Sequence, residues 1–100
     1  LNDAVANLND ALFDANYPSG IYAANGSEVN LTNARFENHN KIGAWGRKAA
    51  FEFVNSGILL ANVSFVNNFL GVMGDLLSSV IASGVEFINN TATTSPANLF

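Results

Sequence analysis

The chain has 100 residues, of which 49% are hydrophobic and only 12% charged, and its formal net charge is −4. This length predicts one domain, and the acidic balance without a Lys/Arg cluster argues against nucleic acid or an anionic membrane surface as a partner. The chain has no cysteine, which excludes a disulfide scaffold and a thiolate metal site. No apolar run approaches the roughly 18 residues of a membrane span, so membrane insertion is not expected. Because the sequence starts at Leu1 rather than Met, we expect a processed protein or a piece of a longer one.

Residues 1–16 allow two interpretations. Apolar side chains recur there at helical spacing, and Asp3 is of a residue type that caps helices. The same residues also fit a pattern that returns three more times along the chain, ending in Phe13 and Asn16. The repeat is the more specific signal, so we predict extended structure for this segment.

Four phenylalanines anchor that repeat. Apolar residues stand seven, five and two positions before each Phe, and Asn, Asp or Gly stands three positions before it. An Asn follows Phe13, Phe65 and Phe87 after three residues, whereas Asn40 follows its Phe one residue later. The anchors recur at intervals in the twenties, of which the middle one is the longest, and they are Phe13, Phe36, Phe65 and Phe87. Periods of this length are typical of solenoids, in which each unit buries its apolar face against its neighbours.

A second motif supports this register. Residues 68–74 repeat the apolar and Gly pattern of residues 40–46. The alignment predicts two further columns of equivalent residues: Gly20, Gly43 and Gly71, and Tyr22, Trp45 and Met73. It also places an insertion of about six residues near 47–54. We expect this insertion to leave the repeat as a loop or an extra strand, and the alternation of Phe51 and Phe53 with Glu52 favours a strand.

The unit V-x-L-x-N-x-[AV]-x-F-x-N-N, seen at residues 58–68 and 29–38, resembles the coils of right-handed parallel β-helix proteins of the pectin-lyase-like class. The F-x-x-N element at 13–16, 65–68 and 87–90 is similar to repeats of surface β-helix adhesins, among them the chlamydial polymorphic outer-membrane proteins. The resemblance implies an all-β fold: a right-handed parallel β-helix (β-solenoid) of about four coils. It forms a single domain, 1–100, with coils at about 1–22, 23–45, 46–73 and 74–100.

Stacked parallel strands place equivalent residues over one another, so the four phenylalanines are expected to form a ladder inside the coil. Asn side chains at the bends can pass amide hydrogen bonds from coil to coil. Asn also creates four N-x-[ST] sequons, the acceptor pattern for N-glycosylation. Asn25 and Asn30 are the better candidates, since Asn62 and Asn89 fall in repeat columns with a structural use.

No catalytic site is expected. The acidic residues do not cluster, with Asp10 and Asp14 as the nearest approach to a pair, and no nucleophile, phosphate cradle, cofactor motif or metal loop is present. His39 is expected to be a solvated bend residue. A groove between residues 47–54, Arg35 and Lys41 would suit an acidic sugar. The Tyr22/Trp45 column would suit carbohydrate stacking, although its replacement by Met73 favours a core position.

Two functions from different classes are therefore considered. The first is a structural or adhesive protein, extracellular or at the cell surface, that self-assembles by end-to-end stacking of its coils into filaments or layers. If a second copy followed the last residue directly, the interval from Phe87 to its first Phe would fall within the range found inside the chain. The alternative is a fragment of a carbohydrate-active β-helix enzyme or a polysaccharide-binding module, with carbohydrate as partner. The residues expected at the assembling ends are Ala6, Leu8, Leu99 and Phe100.

Overall fold

The computed structural model describes residues 1–16, 19–39, 49–75 and 77–91. These residues form β-strands without a helix, which confirms the all-β expectation and the extended structure of residues 1–16. The described residues form nine strands: β1 (Val5–Asn9), β2 (Leu12–Asp14), β3 (Ile21–Ala24), β4 (Glu28–Glu37), β5 (Ala49–Val54), β6 (Gly57–Val66), β7 (Leu70–Gly74), β8 (Ser79–Ser83) and β9 (Glu86–Ile88).

All of the strand pairs are parallel and belong to two sheets. The six-stranded sheet has the order β1-β4-β6-β8, with β2 beside β4 and β9 beside β6. The three-stranded sheet has the order β3-β5-β7. The chain alternates between the sheets and crosses the six-stranded one four times, in four passes: β1 with β2, then β4, then β6, then β8 with β9.

Equivalent residues of successive passes lie side by side. Phe36 pairs with Phe13 on one side and Phe65 on the other, and Phe65 pairs in turn with Phe87. The neighbouring rings stack with centroids 4.5, 5.0 and 5.3 Å apart. Phe36 and Phe65 are fully buried, while the two end rings are partly buried.

The two sheets face each other across one core. Phe51 of β5 stacks on Phe36 with ring centroids 5.7 Å apart, so the column of rings also contacts the opposite sheet. Around it lie the alternate residues of β4 and β6, among them Val29, Leu31 and Leu60. This is the period-two burial of a strand with one face on a core.

The three-stranded sheet corrects the predicted insertion. Residues 49–54 are not extra to the repeat, because β5 is the central strand of this sheet and both Phe51 and Phe53 are buried. Its Glu52 pairs with Tyr22 and with Met73, so Glu52 occupies the place expected for Trp45. Trp45 lies outside the described residues.

The predicted glycine column is also wrong at its middle member. Gly20 donates its N–H to the carbonyl oxygen of Ala50 over 2.7 Å, so Ala50 occupies the place assigned to Gly43. This register depends on side-chain volume. Phe53 lies between Ala23 and Gly74, which are small enough to leave room for its ring. The return strand of the second pass therefore begins beyond the boundary expected at residue 45.

Candidate functional site

The two edges of the six-stranded sheet are the most distinctive surface of the protein. Among the described residues, β1 and β2 form one edge, and β8 and β9 form the other. Their core-facing residues Leu8, Phe13, Val80 and Phe87 pack on the core but stay partly exposed. Unpaired edges of parallel sheets present rows of backbone N–H and C=O groups that favour pairing with another strand.

The same edges also carry large apolar residues on the outer face. Val5, Leu12 and Ile81 are 63%, 60% and 71% exposed. Of the expected end residues, Ala6 and Leu8 lie on β1 and are partly buried, whereas Leu99 and Phe100 lie outside the described residues.

Each pass bends at a left-handed residue inside the sheet. The φ angles are between 54° and 63° at Asp10 and Gly84 in the end passes and at Asn33 and Asn62 in the middle passes. Asn and Gly tolerate this conformation better than other residues, which explains the residue types of this column. The side chains also bond across passes: Asn62 Nδ2 donates to Asn33 Oδ1 over 2.7 Å, and Asn33 Nδ2 donates to Asp10 Oδ1 over 3.2 Å.

A second ladder is buried and runs through the F-x-x-N position. The side chain of Asn68 accepts a hydrogen bond from the His39 N–H at Oδ1 (3.0 Å) and donates from Nδ2 to the carbonyl oxygen of Phe36 (3.0 Å). One pass later, Asn90 repeats both bonds: Oδ1 accepts from the Asn68 N–H (2.9 Å), and Nδ2 donates to the Phe65 carbonyl (3.0 Å). Each Asn thus ties its own bend to the preceding pass.

His39 occupies this Asn position in the second pass and is not the solvated residue expected from sequence. It is 1% exposed, and its Nδ1 lies 2.9 Å from Asn68 Oδ1 while its Nε2 lies 3.4 Å from the amide nitrogen of Asn16. Because Asn68 Oδ1 only accepts, Nδ1 carries the proton of this hydrogen bond. His39, rather than Asn40, is therefore the equivalent of Asn68; Asn40 lies outside the described residues.

The outer face of the three-stranded sheet carries a cleft of about 330 Å³. Tyr22, Glu52 and Met73 form a row across it, since they alternate with core-facing residues. Met73 is 42% exposed, so this column lies on the surface and not, as expected, in the core. Glu52 is largely buried there, and its Oε1 accepts the Ala49 N–H over 3.0 Å.

Asp75 closes one end of the cleft and lies in a local turn. Its Oδ1 accepts hydrogen bonds from the Ser78 hydroxyl (2.7 Å) and the Asn55 N–H (3.0 Å). These donors, the Ser78 hydroxyl first, lower the pKa of the Asp75 carboxyl below its ordinary value of 3.8. Asp75 therefore keeps its charge at neutral pH, and the cleft is acidic.

The basic groove considered as an alternative for an acidic sugar lies partly outside the described residues, which contain Arg35 and residues 49–54 of it. Arg35 points outward from β4 and bonds to the Glu37 carboxylate over 2.6 Å, while residues 49–54 belong to the other sheet. Lys41, Arg47 and Lys48 lie outside the described residues. Asp10 and Asp14 do not pair with each other, since each accepts from an Asn of the next pass, Asn33 and Asn38 respectively.

The sequon asparagines lie at the surface. Asn25, Asn62 and Asn89 are exposed and left-handed, and Asn30 is partly buried on β4. The amide nitrogens of Asn25 and Asn30 donate to Asn2 (2.6 Å) and Asn7 (2.8 Å) of the first pass, so these two share the structural use that was expected only of the others.

Sequence reasoning missed Glu52 and the paired bonds of Asn68 and Asn90. The signal for the latter was present, because an Asn three residues after Phe at the end of a strand is suited to bind both an N–H and a C=O of its neighbour.

Within residues 1–16, 19–39, 49–75 and 77–91, no three His, Asp or Glu side chains are grouped as metal ligands, and no helix is long and apolar enough to cross a membrane. No protein-family model, curated protein or solved structure matches the chain.

Proposed function

We propose that the four passes are the coils of a right-handed parallel β-helix, and that copies of the protein stack end to end through the open edges of their first and last coils. The protein would then be a structural or adhesive element, extracellular or at the cell surface, that builds filaments or layers. The observation that carries the proposal is the columnar register, which places β1 and β8 on opposite edges of one parallel sheet.

The β-helix itself is supported by the alternation of the chain between two parallel sheets. Each return to the six-stranded sheet pairs with the previous visit, with Val29 beside Ile58 and Ile58 beside Val80. Right-handedness follows the general rule for parallel crossover connections. Resemblance of the V-x-L-x-N-x-[AV]-x-F unit to pectin-lyase-like coils points the same way.

Stacking is supported by what the end coils offer. A second copy whose β1 continued the sheet beside β8 would place Leu8 beside Ala82 and Phe13 beside Phe87, in the same columns as within the chain. It would pair the open backbone edges and bury the partly exposed apolar ends of the core. A head-to-tail contact of this kind does not close, so it generates a filament.

The extracellular location is supported by the sequons at exposed bends, such as Asn25 and Asn62. Its test is the mass of sequon peptides after expression in a secretory eukaryotic cell. A hexose-bearing peptide at any of the four sites supports the location, and unmodified peptides at all four sites argue against it.

Stacking can be tested by disulfide cross-linking, because the chain has no cysteine of its own. Parallel strands lie about 4.8 Å apart, so Leu12 of one copy and Glu86 of the copy before it would have Cα atoms within disulfide range. In a single copy the same residues are three strand spacings apart, about 14 Å, since Leu12, Arg35, Ser64 and Glu86 are consecutive partners.

Mixing Leu12→Cys copies with Glu86→Cys copies should therefore give oxidised dimers, while each variant alone should not. The matched control mixes Leu12→Cys with Ile88→Cys, whose Cα atoms would be about 8 Å apart, beyond the reach of a disulfide. Electron microscopy of the unmodified protein should show filaments or sheets. Monomers at high concentration, or equal cross-linking in the control mixture, would rule out the in-register stack.

A second candidate function, carbohydrate binding, is favoured by the cleft on the three-stranded sheet. The Tyr22 ring offers an apolar face, and the Glu52 and Asp75 carboxylates offer hydroxyl acceptors. Its acidic lining suits a neutral or amino sugar rather than the acidic sugar considered for the basic groove. Calorimetric titration with cellotetraose and chitotriose, using Tyr22→Leu and the distant Ile81→Ala as control, tests it; no heat with either sugar rejects it.

A further inference from the structure

We propose that Asn16 is the residue that fixes the register between copies: its side chain bonds to the Phe87 carbonyl oxygen and the Asn90 N–H of the preceding copy. This inference rests on the proposed end-to-end stacking and identifies the polar contact that would make it specific. The partner is a second copy of this chain.

The argument starts from the direction of the buried Asn ladder. Asn68 and Asn90 each bond to the preceding pass with the same two atoms. In both cases Oδ1 accepts from the N–H of the residue that holds the equivalent position in that pass, and Nδ2 donates to the carbonyl oxygen of the Phe three residues before that equivalent residue. The four bonds measure 2.9 to 3.0 Å. Two successive passes thus follow the same rule with the same atoms.

Asn16 holds the same position in the first pass, three residues after Phe13. Within the described residues no earlier pass lies beside it, and its side chain is exposed. Its amide nitrogen instead lies 3.4 Å from His39 Nε2, beyond the usual range of a strong hydrogen bond. At the opposite end, Phe87 and Asn90 offer the carbonyl and N–H that the rule requires, and Thr91 is the last residue described.

A preceding copy in the predicted register would place Phe87 beside Phe13 and Asn90 beside Asn16. The Asn16 Oδ1 would then accept the Asn90 N–H, and its Nδ2 would donate to the Phe87 carbonyl. The contact is polar and directional, because only the first pass contributes the reaching side chain. Two first passes facing each other would leave both Asn16 side chains without this pair of partners, so the ladder selects head-to-tail over head-to-head stacking.

The test compares Asn16→Ala with Asn9→Ala, which removes an exposed Asn from the same edge but outside the ladder. Loss of two interfacial hydrogen bonds should raise the critical concentration for assembly roughly 10- to 100-fold in Asn16→Ala, measured by sedimentation. Asn9→Ala should assemble like the unmodified protein. Asn16→Asp keeps an acceptor for the Asn90 N–H but turns a carboxylate oxygen toward the Phe87 carbonyl oxygen, so it should assemble no better than Asn16→Ala.

Amide hydrogen exchange gives the second measurement. The Asn90 N–H should be protected in assemblies of the unmodified protein and should exchange faster when Asn16→Ala is driven to assemble at high concentration. The thermal midpoint of the monomer should change little in all three variants, because the contact of Asn16 with His39 Nε2 is long at 3.4 Å. This separates an interface effect from loss of the fold.

The outcomes separate this inference from the stacking proposal. Cross-linking of Leu12→Cys to Glu86→Cys that is undiminished by Asn16→Ala, with an unchanged critical concentration, would overturn the role of Asn16 and leave stacking intact. Absence of that cross-link and of any assembly in the unmodified protein would overturn both. A raised critical concentration in Asn16→Ala alone would support the inference.

Discussion

Replacing Phe65 tests the ring column at a fully buried point. Phe65 has no exposed surface, and its ring stacks on Phe36 at 5.0 Å and on Phe87 at 5.3 Å. Truncation to Ala should reduce the free energy of unfolding by roughly 3 to 5 kcal/mol, as large-to-small changes in a core do. That loss is a large part of the total free energy of unfolding of a typical domain, which is roughly 5–15 kcal/mol.

The matched comparison is Phe13→Ala in the end pass. Phe13 is partly buried and stacks on one ring, Phe36, at 4.5 Å. Because Phe13 is only partly buried and has one ring neighbour in the column, its truncation should cost less than that of Phe65, roughly 2 kcal/mol. Phe65→Leu keeps an apolar side chain but loses two ring contacts, so it should cost about 1 to 3 kcal/mol.

Urea unfolding followed by far-ultraviolet circular dichroism measures these differences. For a chain of this size, with a slope of about 1.5 kcal/mol per molar urea, a loss of about 4 kcal/mol lowers the midpoint by about 2.5 M. The experiment must use dilute protein, because stacking of copies would bury Phe13 and increase the free energy lost in Phe13→Ala. If Phe13→Ala is as costly as Phe65→Ala in the monomer, the difference in burial does not determine stability and the reasoning is wrong.

Three further predictions concern other residues. Asn62→Ala should lower the free energy of unfolding by about 1 to 2 kcal/mol, because Ala is strained at the left-handed φ of 57° and the hydrogen bond to Asn33 is lost. Asn62→Gly should lower it less, because it removes only the hydrogen bond, and equal losses by urea unfolding would contradict this. Gly74→Ala should lower the free energy of unfolding by about 1 to 3 kcal/mol, because the new methyl group would collide with the Phe53 ring. The same substitution in a Phe53→Leu background should lower it less if this collision is the cause. The pKa of Asp75 is lowered by folding, so the Asp75 carboxylate stabilises the fold above the ordinary value of 3.8, and this stabilisation is lost as pH falls through the lower folded value. Asp75→Asn should therefore flatten the dependence of the thermal midpoint on pH in that acid range, and an unchanged slope would contradict this.

The sequence by itself determined the pairing of the long strands. No insertion interrupts the repeated positions of β4 and β6, so each apolar residue of β4 lies beside an apolar residue of β6, from Val29 beside Ile58 to Phe36 beside Phe65. A one-residue slip would turn all of these side chains to the opposite face, which is why an alternating pattern specifies register so strongly. The left-handed bends were not predicted, although their signal is in the sequence: Asn, Asp or Gly stands three positions before each Phe, and these residues tolerate positive φ.

Only the tertiary structure decided the register of the three-stranded sheet. Two segments of the second pass resemble its neighbours, the Gly-Ala-Trp segment at 43–45 and the Phe-Glu-Phe segment at 51–53, and local similarity favours the first. The choice depends on volume: the Phe53 ring fits because Ala23 and Gly74 on the flanking strands leave room for it. That complementarity joins residues from three passes, so no single stretch of sequence contains it.

The same reason explains why His39 and Glu52 were misplaced. An imidazole substitutes for Asn at the buried bend because Asn68, which belongs to the following pass, presents an acceptor to its Nδ1. Glu52 lies on the outer face because the neighbouring strands place Tyr22 and Met73 beside it. Sequence periodicity fixes which face of a strand a side chain takes, whereas the partners that surround it are set by strands distant in the chain and become known only when those strands are packed together.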